Sequence, residues 1–132
     1  MTFEETTQIK SFFKNLLWHS LAGHESFKMP VICPELEMIL QKLYTHRYIY
    51  GYLVDFERNK TTIYLGTADT LDTCLITDIR LNFRKCISLA KIKKFVKKFP
   101  YILGFVYTSN GILTFAECIN FKCGGKVLAI IL

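Results

Sequence analysis

The spacing of apolar residues changes along this chain of 132 residues, and the change constrains its fold more than any other feature. Over residues 8–22 apolar side chains recur at helical spacing, which predicts an amphipathic helix that ends before Gly23. A second helix is expected from Pro34, because proline suits the first position of a helix. From Tyr48 onward aromatic and β-branched residues dominate, and this composition predicts strands.

The predicted elements divide into two small lobes and indicate an α+β fold. Residues 1–67 are expected to form an N-terminal α-β-α-β-β lobe, and residues 74–132 a C-terminal, mostly β lobe with short helices. A loop near residues 67–73 would join the two lobes. The predicted helices are 8–22, 34–46 and 89–99, and the predicted strands are 29–32, 48–56, 61–65, 74–81, 101–107 and a closing strand after Gly125.

Composition excludes several classes of protein. Apolar residues make up 51% of the chain, which is enough to bury a core. The longest purely apolar run, Val127–Leu132, is far shorter than the roughly 20 residues that span a bilayer. The first residues resemble neither a secretory signal nor an arginine-rich transit peptide. We therefore expect the protein to act where it is made, or an import segment to have been removed.

The cysteines and histidines do not predict a metal site or a catalytic site. Five scattered cysteines argue against a disulfide framework and for a reducing compartment. Cys118 and Cys123 lie close together, but no histidine lies near them in sequence. His19 and His24 are five residues apart, which is not the four-residue spacing that pairs metal ligands on a helix. We expect no cofactor, no metal and no catalytic residue.

Charge is divided unequally along the chain. Residues 1–57 hold seven acids and five lysines or arginines, whereas residues 79–132 hold ten lysines or arginines and one acid, Glu117. Over residues 89–99 the lysines occupy the face opposite the apolar residues. A solvated helix face is the alternative interpretation, but such a face usually mixes both signs of charge. The basic part therefore favours contact with a polyanion.

Three tyrosines, Tyr48, Tyr50 and Tyr52, share one face of a predicted strand. Aromatic rings on a sheet can stack on the bases of a single strand of nucleic acid. Alternatively, these rings cover the helices of their own lobe. We favour the second interpretation, because that lobe is acidic and would repel phosphate.

A hydroxyl-rich loop, Tyr107–Gly111, follows the basic segment. Thr114 and Glu117 then match a T-x-x-E capping box, which satisfies free N–H groups at the start of a helix. Gly124 and Gly125 let the chain turn into the closing apolar strand. Hydroxyls and backbone N–H groups in such a loop suit hydrogen bonds to phosphate and sugar oxygens.

This order of loop, capped turn, paired glycines and closing strand resembles the signature of the small-subunit ribosomal protein S-eight family. The resemblance extends through the segments Asn15-Leu-Leu-Trp-His-Ser, Lys28-Met-Pro30 and Tyr48-Ile-Tyr-Gly-Tyr. It implies a non-enzymatic constituent of the small ribosomal subunit that binds the central domain of the small-subunit rRNA and supports assembly. It also implies rRNA contacts by the opening helix and its following turn, and ribosomal protein S-five as a neighbour.

By position, the resemblance implies that Thr108 and Ser109 contact rRNA from the loop and that Gly111 permits the conformation of the loop. Gly124 and Gly125 precede the last strand in the same way. Lysines and arginines of the basic part would neutralise phosphates. The candidate RNA-binding residues are Arg80, Arg84, Lys85, Lys91, Lys94, Lys98, Tyr107, Thr108, Ser109, Asn110, Gly111, Lys122, Gly124, Gly125 and Lys126.

Three positions depart from the family pattern. Tyr107 stands where serine is usual, Asn110 where lysine is usual, and Ile119 at a place often held by arginine. These changes alter or remove polar contacts, and they lower the affinity expected for bare RNA. Tyr107 is left either to stack on a base or to pack on its neighbours.

Composition and resemblance together imply where the protein acts. The chain has eleven phenylalanines and seven tyrosines, and its family frame is kept without a presequence. This combination implies an organelle-encoded protein of the mitochondrial ribosome in the matrix, with a plastid or bacterial cytoplasm as the alternative.

The alternative functions are a free protein-interaction module that uses the acidic lobe and an RNA-processing factor. The latter would need an acid–base or metal cluster.

Overall fold

Four α-helices and two antiparallel sheets form from the residues that the computed structural model describes, namely 3–30, 33–65, 76, 78–81 and 86–132. The α+β fold predicted from the sequence is confirmed. The chain divides into two compact units, Met1–Thr77 and Asp78–Leu132. The predicted joining loop at 67–73 lies outside the described residues, as do Cys74, Leu75 and Thr77 of the strand predicted at 74–81.

The first unit follows the predicted order α-β-α-β-β. Its three strands form an antiparallel sheet in the order β1-β3-β2. The first helix begins five residues earlier than predicted, because its first turn holds acids, which the positive end of a helix dipole favours. The elements are α1 (Phe3–Ala22), β1 (Ser26–Pro30), α2 (Pro34–Thr45), β2 (Gly51–Asp55) and β3 (Lys60–Tyr64).

Both helices of the first unit bury one apolar face. On α1 the face includes Phe12 and Phe13, and on α2 it includes Ile39 and Leu40, all four of which are fully buried. The rings of Phe12 and Phe13 meet edge to face, with centroids 5.2 Å apart. Each such side chain contributes about 1.5–3 kcal/mol when it leaves water. The helical spacing read from the sequence therefore identifies most of the core of this unit, although Leu21 and Tyr44, which share that spacing, are exposed.

Both helices of the first unit also end in the same way. After α1, Gly23 adopts a left-handed backbone with φ of 75°, and its N–H donates to the Ser20 carbonyl at 3.3 Å. The N–H of His24 donates to the His19 carbonyl at 3.1 Å. These two bonds define a Schellman motif, which places the second residue past the helix beside the residue five positions earlier.

The same motif ends α2 and explains one wrong prediction. Arg47 takes the left-handed position with φ of 64°, and the Tyr48 N–H donates to the Leu43 carbonyl at 2.9 Å. Tyr48 therefore completes the end of a helix and does not begin a strand. As a result β2 begins at Gly51, three residues later than predicted.

The second unit is built around its last strand. The elements are β4 (Ile79–Leu81), β5 (Cys86–Ile87), α3 (Leu89–Lys98), β6 (Leu103–Thr108), β7 (Gly111–Thr114), α4 (Phe115–Phe121) and β8 (Gly125–Ile131). Strand β8 pairs with β6 on one edge and with β4 and β5 on the other, and β7 pairs with β6. Strands β5 and β7 were not predicted. None of the described helices combines the length and apolarity needed to cross a membrane.

One face of this sheet packs against α3 and α4. The buried residues of the cluster are Ile92, Val106, Leu113, Phe115 and Cys118. Gly104 lies where the Phe115 ring presses on the sheet, since a Cβ at Gly104 would fall 2.3 Å from an atom of that ring. The ring is only 3% exposed, so it has little room to move. Glycine at position 104 therefore allows α4 to approach the strand.

We expect Gly104→Ala to lower the free energy of unfolding by about 1–3 kcal/mol, because the added methyl overpacks the core against Phe115. Gly51→Ala is the matched control, since a Cβ there meets no atom within 4 Å. The control should be neutral or stabilising by up to about 1 kcal/mol. Urea denaturation followed by circular dichroism measures both variants, and equal unfolding midpoints would contradict this account of Gly104.

Candidate nucleic-acid interface

Helix α3 carries the densest positive charge of the second unit. Ser88 caps the start of this helix, and its Oγ accepts a hydrogen bond from the Lys91 N–H at 3.4 Å. Its apolar face is anchored by the fully buried Ile92 and by Phe95, whose ring meets Phe115 edge to face with centroids 5.5 Å apart. The lysines occupy the opposite side of the helix, and all of them are exposed: Lys91, Lys93, Lys94, Lys97 and Lys98.

The charge on this lysine face is not neutralised within the described residues. Residues 78–132 contain two acids, Asp78 and Glu117. Asp78 lies 3.9 Å from the guanidinium of Arg80, an exposed pair worth about 0–1 kcal/mol. The Glu117 carboxylate accepts the Thr114 N–H at 3.3 Å, as the capping box requires. No ion pair joins a lysine of α3 to an acid of the described chain. The lysine face is therefore available to a polyanion.

The hydroxyl-rich loop is a tight turn between β6 and β7. Thr108 and Gly111 pair across the two strands and leave Ser109 and Asn110 as the turn residues. Gly111 has a φ of 94°, a conformation that favours glycine. Ser109 and Asn110 are exposed, so the turn presents a hydroxyl and an amide to solvent.

Thr108 differs from Ser109 in its role. The Thr108 hydroxyl donates to the Gly111 carbonyl at 2.9 Å and accepts the Asn110 N–H at 3.1 Å. Its side chain is buried, with 6% exposed. The resemblance gives Thr108 and Ser109 one role in RNA contact, whereas the geometry makes Thr108 the residue that shapes the turn. Ser109 is the hydroxyl that a ligand can reach.

The two glycines at the start of β8, Gly124 just before it and Gly125 as its first residue, allow backbones to approach closely. A Cβ at Gly124 would lie 2.4 Å from the Ile87 carbonyl oxygen, and one at Gly125 would lie 2.3 Å from the Tyr107 carbonyl oxygen. Neither distance leaves room for a side chain. The sequence suggested that these glycines only let the chain turn. Their lack of a side chain also allows the backbones of β5 and β6 to lie against the start of β8.

Strand pairing places Lys126 between Cys86 and Tyr107. Lys126 lies opposite Cys86 of β5 and opposite Tyr107 of β6. Residues directly opposite each other project from the same face of a sheet. Lys126 and Cys86 are exposed, and Tyr107 is half-buried. Tyr107 therefore stands beside a cation, close to the Ser109–Asn110 turn on its own strand.

The remaining predicted residues lie at different places. Arg80 is exposed on β4. Lys122 is exposed at the end of α4, where it adopts a left-handed backbone with φ of 53°. Arg84 and Lys85 lie outside the described residues. Ile119, at the position where the family often has arginine, packs against the apolar core cluster.

Exposed aromatic rings at the end of α3 were missed by the sequence analysis. Phe99 is 42% exposed and Tyr101 is 92% exposed. The ammonium of Lys98 lies 5.4 Å from the centre of the Phe99 ring, within cation–π range. The helical spacing had placed Phe99 on the buried face, but the helix ends before it. Rings beside lysines are surfaces on which bases can stack.

The buried thiol of Cys118, in the second unit, is expected to be unreactive. Burial, reinforced by the neighbouring Cys123, raises the pKa of Cys118 to about 12. The thiol is therefore protonated at neutral pH and is a poor nucleophile.

Tyr50, one of the three tyrosines considered as a stacking platform, is exposed, but it belongs to the first unit and precedes β2.

We expect Thr108→Val to lower the free energy of unfolding by about 1–2 kcal/mol, because it removes two hydrogen bonds while keeping a branched side chain. Ser109→Ala should change it by less than about 0.5 kcal/mol, because the hydroxyl faces solvent. Urea denaturation compares the two variants. A larger loss for Ser109→Ala than for Thr108→Val would contradict the roles assigned here.

The chain matches no model of a known protein family. It also has no significant match among curated proteins.

Proposed function

We propose that the protein is an rRNA-binding constituent of the small ribosomal subunit, a divergent member of the S-eight family that acts in the mitochondrial ribosome. The observation that carries the proposal is the exposed lysine face of α3, which pairs with no acid of the described residues and belongs to the same unit as the Ser109–Asn110 turn. The central domain of the small-subunit rRNA is the proposed ligand. Ribosomal protein S-five is the proposed neighbour. No chemical step is assigned to the protein.

The first part of the proposed mechanism is electrostatic. Lysines of α3, together with Lys122 and Lys126, neutralise phosphates and release counterions from the RNA. Their long side chains tolerate variation in the position of each phosphate. This contribution provides affinity and rapid association, but it does not distinguish one RNA sequence from another.

The second part is positional. The Ser109 hydroxyl, the Asn110 amide and nearby backbone N–H groups would fix the register of the RNA by hydrogen bonds to phosphate and sugar oxygens. Thr108 contributes indirectly, since its two hydrogen bonds hold the turn in one shape. Shape is what such a surface can recognise, because the major groove of an A-form helix is too narrow for side chains.

A free protein-interaction module is the second candidate function. Large apolar side chains are exposed in the first unit, notably Trp18 at 61%, Leu53 at 60% and Phe56 at 78%. Exposed apolar side chains of this kind would suit a protein partner, either in a ribosome or outside one. An RNA-processing factor has less support, because the carboxylate of Glu117 already serves in a helix cap.

Sedimentation of the native protein before and after ribonuclease treatment tests the proposed function. We expect migration with particles of ribosomal size, and loss of that migration after digestion of the RNA. A chain that sediments as a small protein in untreated lysate would contradict the ribosomal assignment and favour the interaction module.

Salt dependence tests the electrostatic mechanism. Affinity for a fragment of the rRNA central domain should fall by about 10³-fold between 50 and 200 mM salt if roughly six phosphates are contacted. Lys94→Gln should weaken binding and lower the slope of the logarithmic salt plot by about 1. Lys60→Gln, which removes an exposed lysine of the first unit, is the matched control and should leave the slope unchanged. A flat salt response, or equal effects of the two variants, would contradict this mechanism.

A further inference from the structure

The segment that follows α3 forms a tight turn with an aromatic ring at its corner. The Phe99 N–H donates to the Phe95 carbonyl at 2.8 Å and closes the last turn of the helix. The Ile102 N–H then donates to the Phe99 carbonyl at 3.4 Å, which defines a β-turn with Pro100 and Tyr101 at its centre. Proline suits the first central position because its ring fixes φ. Tyr101 therefore stands on a turn that its neighbour stiffens.

Tyr101 is the most exposed large apolar side chain among the described residues, with 92% of its surface open to solvent. An aromatic ring stabilises a fold by leaving water, so this ring contributes almost nothing to the core. Single exposed apolar residues are common, and exposure alone does not indicate a ligand. The surroundings of Tyr101 distinguish it from such residues.

The neighbouring ring of Phe99 is held by a series of rings that reaches the core. The centroids of Phe99 and Phe95 are 5.2 Å apart, and those of Phe95 and the buried Phe115 are 5.5 Å apart. The ammonium of Lys98 lies over the Phe99 ring, 5.4 Å from its centre. Phe99 is therefore occupied by contacts within the protein, whereas the ring of Tyr101 is open to a ligand.

The charge near this turn is positive. Lys97 and Lys98 lie in the last turn of α3, and both are exposed. The nearest acids in sequence are Asp78 and Glu117, and no acid lies between them. The carbonyl end of a helix disfavours an anion, so a phosphate here depends on lysines whose side chains extend beyond that end. The uncharged face of a ring meets no such repulsion. This end of α3 therefore suits a ligand that joins anionic groups to flat, uncharged rings.

We propose that Tyr101 stacks on an unpaired base of a single-stranded segment of RNA, while Lys97 and Lys98 contact phosphates of the same strand. Stacking on an aromatic side chain is tolerant of sequence, because every base has a π face. Bases inside a duplex stack on one another, so a single strand is the form of RNA that offers a free face. The proposal rests on the RNA contact proposed for the lysine face of α3, and it adds an unpaired strand at the end of that helix.

Binding of a short oligoadenylate to the full chain, measured by fluorescence anisotropy of a dye on the RNA, tests the proposal. Tyr101→Ala should weaken binding by at least about five-fold, the loss typical of one stacked base. The slope of the logarithmic salt plot should stay the same, because no charge is removed. Tyr101→Phe keeps the ring and should bind like the wild type. Phe56→Ala removes an exposed ring of the first unit and is the matched control, with no loss expected.

An abasic strand of the same length separates stacking from charge, because it keeps the phosphates and lacks the bases. The wild type should bind it more weakly than oligoadenylate, and Tyr101→Ala should bind it as the wild type does. Equal binding of oligoadenylate by the wild type and Tyr101→Ala would overturn the proposal, as would an equal loss on both strands. Equal affinity of the wild type for the two strands, or no binding of oligoadenylate, would also overturn it, and these two measurements need no variant.

The proposed function and the stacking site can fail separately. Loss of oligoadenylate binding in Tyr101→Ala, from a chain that does not sediment with ribosomal particles, would support stacking and contradict the ribosomal assignment. Sedimentation with those particles, without any effect of Tyr101→Ala on oligoadenylate, would support the assignment and contradict stacking. Circular dichroism of Tyr101→Ala should match that of the wild type, since the side chain that it removes is 92% exposed.

Discussion

Close backbone contact at the start of β8 is the constraint on which the second unit depends. Carbonyl oxygens of Ile87 and Tyr107 approach Gly124 and Gly125 so closely that a Cβ on either glycine would lie within 2.4 Å of one of them. Because β8 pairs with β4, β5 and β6, its position determines the alignment of the sheet. Helix α3 follows β5 after a single residue, Ser88, so the direction of the lysine face also depends on this contact.

The fold could be predicted where burial acts on one face of a long element. Most residues of α1, α2 and α3 that recur at helical spacing are buried or half-buried, because a helix must hide its apolar side, but Leu21, Tyr44 and Phe99 near the helix ends are exposed. Strands β5 and β7 could not be predicted, because two- and four-residue strands depend on their partners more than on their own composition. The start of β2 was misplaced because Arg47, which is not glycine, adopts a left-handed backbone.

The candidate surface was predictable in its charge and less so in its geometry. Sequence alone distinguishes the basic from the acidic part, since charge needs no coordinates. The different roles of Thr108 and Ser109 depend on which residue pairs with Gly111 across the hairpin. The exposure of Phe99 and Tyr101 likewise follows from where a helix ends. The way in which a helix ends orients these side chains, and the spacing of apolar residues does not predict it.

The left-handed backbone of Lys122 sets stability against the proposed contact with RNA at one residue. A non-glycine residue in this conformation costs about 1–2 kcal/mol relative to a relaxed backbone. Glycine would relieve that strain, but it would remove an exposed cation from the candidate RNA-binding surface. Selection for stability alone would therefore drive this position towards glycine, whereas selection for a polyanionic partner would retain lysine. A substitution at position 122 can therefore raise the free energy of unfolding and lower the affinity for a polyanion without altering the core.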